Sequence, residues 1–146
     1  MPNLLERMRQ LVADDTGEQR ADRQPLAIAV LLVEVLRADH VQGDAERDAV
    51  LKLLRECSGL GAGEASALLA EAERTANEDV SLHRHVETLN QTLDHEARRR
   101  ILLALWQVAY ADGELHPWEE HLLRRLADLL HLSHSDFIQT KLQVAS

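Results

Sequence analysis

Leu4, Leu5, Met8, Leu11 and Val12 recur at the spacing of one helix face, and the polar cluster at residues 14–17 ends that helix. Polar residues 14–24 then lead to Pro25, a good first-turn residue. The stretch LAIAVLLVEVLRAD that follows is apolar nearly all round, the pattern of a central helix covered on most sides. A third helix is expected over residues 44–57, with Ala49, Val50, Leu53 and Leu54 inward, ending before GLGAG. Residues 64–75 and 79–92 predict two more helices, the second with Val80, His83, Val86, Leu89 and Leu93 in register. Asp94 is an N-cap for HEARRRILLALWQVAYA. His116 and Pro117 open the next helix, with Leu122, Leu123, Leu126 and Leu130 inward. Ser133 caps the last one, which carries Phe137, Leu142 and Val144. No segment alternates with period two, so the expectation is an all-α single domain of about seven or eight helices.

A second periodicity is longer. Setting each residue against the one 73 positions on places Ala38 and Asp39 on Ala111 and Asp112, and Glu46 on Glu119. The same register pairs Leu32, Val35, Val50 and Leu53 with Leu105, Val108, Leu123 and Leu126. An apolar helix, an Asp-bearing loop and an amphipathic helix thus occur twice in the same order. We read this as two related helical hairpins around a pseudo-twofold axis.

Composition narrows the class. Hydrophobic residues are 45% of the 146, yet aromatics are 3%, so Leu, Ala and Val must build the core. The formal net charge is -9, and Arg is interleaved with Asp and Glu, which leaves no basic stripe for nucleic acid. Cys57 is alone, which excludes an intrachain disulfide, a Cys-based zinc site and a CxxC redox pair, and it reads as small core filler. The N-terminus lacks the basic head and apolar stretch of a secretory signal. The apolar run 26–33 stops far short of the roughly 20 residues a membrane span requires. A cytoplasmic protein is expected.

The repeated loops hold the candidate chemistry. Local structure gives each of their residues a role. Asp bonds its own backbone in short turns, Glu46 and Glu119 stand near the third helical position, Gly113 supplies a left-handed turn residue, and Pro117 fits a first helical turn. A twofold arrangement adds a second role. With both loops near the axis, Asp39, Glu46, Asp112 and Glu119 converge, and converging carboxylates repel unless a cation joins them. Oxygen donors suit Ca²⁺ or Mg²⁺, while His40 or His116 beside them shifts preference toward Zn²⁺ or another transition metal such as Mn²⁺. The loop is not an EF-hand, because it is too short for the twelve positions of that motif.

ADGELHPWEEHLLRRLADLLHLS, with the weaker ADHVQGDAERDAVLKLL before it, resembles the tellurite-resistance TerB-like family, from about residue 26 to the end. Ala111, Asp112, Gly113, Glu114, Leu115 and Glu119 match the family pattern. In the first loop His40 replaces the glycine and Gln42 the hydrophobic residue. The resemblance implies an internally duplicated helical domain over residues 25–146, preceded by an N-terminal helix and connection over 1–24. It implies association with tellurite resistance and chemical stress, and metal binding or an interaction role, often near the membrane. Carried over, the metal-site positions are Asp39, Glu46, Asp112, Glu114 and Glu119, with His116 and Glu120 as additions from the helical spacing.

The other reactive residues have simpler readings. His83 and His85 stand two apart and point to different sides of a helix, as surface side chains. Trp106 and Trp118 read as packing anchors. No Ser has a glycine elbow or a base arranged around it, and nothing marks a substrate pocket, so no enzymatic activity is expected. Two functions follow from different classes. One is a stress protein binding a divalent ion through the duplicated loops. The other is a scaffold whose acidic face docks a basic or membrane-associated protein. The Leu-rich faces also allow a homodimer.

Overall fold

In the computed structural model, which describes residues 23–38, 44–77 and 82–145, the apolar segment after Pro25 becomes α1 (Gln24–Ala38). Ala27 to Val33, Val35 and Leu36 are all buried. A helix apolar on every side needs neighbours on every side, and α1 touches five others. These are α2 (Asp44–Ser58), α3 (Ala62–Asn77), α4 (Leu82–Thr92), α5 (His95–Ala109) and α6 (Pro117–Leu129). The last helix, α7 (His134–Ala145), packs on α5 instead. Among the described residues there are seven helices and no strand, and the domain is all-α. No helix among them is long and apolar enough to cross a membrane. The expected helix over residues 4–12 lies outside the described residues.

Each covering helix buries one stripe. Helix α3 presents Ala65, Leu69 and Ala72 to the interior, α4 presents Val86 and Leu89, and α6 presents Leu123, Leu126 and Ala127. Full burial of one such Leu or Val is worth roughly 1.5–3 kcal/mol, so these stripes rather than intrinsic propensity hold the short helices. Helix α5 forms a second buried axis through Ile101, Leu102, Leu105, Trp106 and Val108.

Helix ends follow the local signals. Asp94 caps α5 by accepting the Ala97 N–H at 2.8 Å. Ser133 and Asp136 cap α7 reciprocally, the Asp136 N–H donating to Ser133 Oγ at 3.0 Å and the Ser133 N–H to Asp136 Oδ2 at 3.1 Å. Four expectations are corrected. Trp106 is fully buried, but Trp118 is 44% exposed and Leu142 60% exposed. Cys57 is exposed rather than core filler. His85 is half-buried, with Nε2 shielded from solvent, rather than a surface side chain.

Candidate functional site

The second loop is built around its turn. After α5 ends, the Gly113 N–H donates to the Tyr110 carbonyl at 2.9 Å, with Gly113 at φ 87. A side chain there meets no atom within 4 Å, so its cost is conformational alone. Gly113→Ala is therefore expected to lose about 1 kcal/mol in urea unfolding. An unchanged midpoint would mean that the turn does not hold this backbone conformation. Asp112 Oδ1 accepts the Glu114 N–H at 3.0 Å, the Asp turn expected from sequence. Asp112 and Glu114 are both exposed.

His116 is the N-cap of α6, with Pro117 as its first residue. Its N–H donates to Glu119 Oε1 at 3.3 Å, so Glu119 reaches back to the cap as its third-position spacing predicts. Glu119 is nonetheless only 1% exposed, unusual for a capping carboxylate. Trp118 stacks flat on His116, with centroids 4.5 Å apart and planes 3° apart. Glu120 turns away from the loop to pair with Lys141 of α7 at 3.0 Å.

The first acidic stretch, residues 39–43 with Asp39, lies outside the described residues. Its following helix starts at Asp44, the position matched to Pro117, and Glu46 is the third residue of α2 as Glu119 is of α6. Glu46 is 2% exposed. The pair matched by the 73-residue register is thus alike in helix position and in burial, whereas the exposed pair Asp112 and Glu114 sits at the turn.

These carboxylates are the right donors for a hard cation. Among the described residues, however, no three of His, Cys, Asp and Glu stand close enough to hold one ion. Asp112, Glu114, Glu119 and Glu46 therefore do not by themselves bring three such donors together. Two features of this region escaped the sequence reading. The His116–Trp118 stack joins residues two apart, a spacing that signals no contact within a helix, and it forms because His116 is still outside the helix. Lys141, which engages Glu120, lies 21 residues away and had no local signal.

Comparison with curated proteins finds no match, and neither does comparison with solved structures. The family model described as tellurite resistance protein TerB matches residues 25–142. That span runs from the start of α1 into α7 and includes both loops, and the chain belongs to the TerB family of tellurite resistance proteins.

Proposed function

We propose that this tellurite-resistance-associated protein works in the cytoplasm without catalysis, as an interaction module whose docking surface is the second acidic loop and the start of α6. The observation that carries this reading is the exposed Trp118, stacked on His116 a few residues after the exposed Asp112 and Glu114. A half-exposed aromatic in the same loop region as exposed acids suits a partner that is basic and partly apolar, such as a cationic amphipathic segment of a membrane-associated protein. Buried acids and exposed acids divide the work. Glu119 holds the helix start, and Asp112 and Glu114 face the partner.

Divalent-ion binding is the second reading, favoured by the matched burial of Glu46 and Glu119. Carboxylate oxygens are the donors that hard cations take, and these two stand at the same position of their helices. One experiment separates the two readings. Chelator-treated full chain is melted with Ca²⁺, Mg²⁺, Mn²⁺ or Zn²⁺, beside a variant carrying Asp39→Asn and Asp112→Asn. A site filled at a hundred times its Kd adds ~2.7 kcal/mol, a rise of several degrees that the variant must lose. The docking reading expects a flat response. It also expects a fluorophore-labelled Lys/Leu-rich helical peptide to bind saturably by anisotropy, and Trp118→Ala to abolish the binding. A metal-dependent rise with no peptide response would reverse the order of the two readings.

A further inference from the structure

The start of α1, the end of α2 and the first half of α5 border a groove of about 290 Å³. Its lining is mostly apolar. Ile28, Leu93, Ala97 and Ile101 contribute to it, together with Cys57, the single cysteine of the chain. Ile28 is 7% and Ile101 4% exposed, so these are core side chains whose edges come to the surface here. A volume of this size lies at the lower limit for a small-molecule site and suits one or two aliphatic side chains.

Three observations point to the chain's own N-terminal segment as the source of those side chains. The first is the tether. Gln24 lines the groove and is also the first residue of α1, so the preceding chain leaves from the rim. Residues 13–23 reach up to roughly 35 Å when extended, enough to carry residues 4–12 back over the groove. A link this short holds the segment at an effective concentration on the order of millimolar, so a weak site is occupied. The second is the apolar stripe of Leu4, Leu5, Met8, Leu11 and Val12. These are aliphatic side chains at helical spacing, the chemistry that the lining accepts.

The third is charge. Glu56 and Arg100 stand in the lining, both exposed, and the described ion pairs include neither. At helical spacing Arg7 and Arg9 flank the stripe on its two sides, and Asp14 and Asp15 follow it, so each groove charge has opposite charges on the segment. Another groove at the start of α1 fits the segment less well. It is lined by Arg23, Leu26, Arg84, His85 and Thr88, with one aliphatic side chain and two charges that would repel Arg7 and Arg9. We propose that residues 4–12 dock as an amphipathic helix in the groove between α1, α2 and α5, with Met8, the centre of the stripe, beside Cys57.

The lone cysteine makes the test direct. Leu5→Cys, Glu6→Cys, Met8→Cys and Gln10→Cys are made one at a time in the full chain and oxidised with diamide at low protein concentration. Disulfides to Cys57 are followed on non-reducing gels and by peptide mass. A disulfide needs its two Cα atoms within about 7 Å, so docking favours the stripe over the opposite side of the helix. Leu5→Cys and Met8→Cys are expected to close an intrachain bond at least about tenfold faster than Glu6→Cys and Gln10→Cys. A second variant, Leu5→Asp with Met8→Asp, keeps Cys57 as the only thiol. Labelling of that thiol by a maleimide should quicken at least about tenfold, since reactivity follows the undocked fraction. The helical circular dichroism should stay that of wild type, which separates undocking from unfolding. Equal closure rates at all four positions would overturn the proposal, because a loose tether brings every position to Cys57 alike. Bonds formed mainly between chains would overturn it in favour of a second copy's segment, and unchanged labelling would overturn it as well.

Discussion

Replacing Trp106 with Ala is expected to destabilise the domain by about 3–5 kcal/mol, a large part of the total stability of about 5–15 kcal/mol usual for a protein of this kind. Trp106 is fully buried where α5 meets α7, with the Phe137 ring 5.0 Å and the Tyr110 ring 6.0 Å from it. Its Nε1 donates to Thr140 Oγ1 at 3.0 Å, and Thr140 in turn donates to the Asp136 carbonyl at 2.7 Å. Truncation therefore opens a cavity and removes the one tryptophan donor that ties α7 to α5. Trp106→Phe, which keeps most of the ring volume but not the donor, should fall between wild type and the alanine variant. Trp118→Ala, at an exposed site, should cost less than about 1 kcal/mol. Urea unfolding of the three variants checks the order. Equal losses for Trp106→Ala and Trp118→Ala would mean that α7 does not pack as described.

Asp136→Asn should be the second large effect, about 2–4 kcal/mol at neutral pH, because it weakens a helix cap and charged hydrogen bonds at once. Asp136 is 9% exposed. His95 Nε2 lies 2.9 Å from Oδ2, Ser133 Oγ donates to the same oxygen at 3.0 Å, and Arg99 Nε stands 3.5 Å from Oδ1. Burial pushes its pKa up, but the hydrogen bonds from His95 and Ser133 and the His95 charge outweigh burial and hold it below the ordinary carboxylate value. A carboxyl with a depressed folded pKa contributes stability that is complete above its unfolded value, near ~3.9, and is lost as pH falls through the folded value. The gap between wild type and Asp136→Asn should therefore be present above about pH 4 and shrink below it. A gap that stays constant to about pH 2 would refute the ionised hub.

Several features of this domain were legible because they are local. An apolar segment such as 26–33 cannot be solvated on any side, so its central place follows from the residues themselves. Asp94, Gly113, Pro117 and Glu119 each act through backbone groups within a few residues, and each sits where its type predicts. The reciprocal cap of Ser133 and Asp136 was legible in the same way from its three-residue spacing, although only the serine was read. The acidic loops were visible too, because the 73-residue register places Glu46 and Glu119 at the third residue of their helices.

What the sequence by itself determined was the all-α class, the helix order and most helix ends, since periodicity and caps act over one or two turns. The tertiary structure decided which of two tryptophans is buried, and that Leu142 and Cys57 face outward. It decided that Asp136 meets His95 across 41 residues, and that His83, Glu87, Asp128 and His131 border one groove. Helical period fixes which side chains share a face. Which face is covered, and which polar groups meet across the gap between helices, depends on neighbours far along the chain, whose approach is selected by the packing of the whole core.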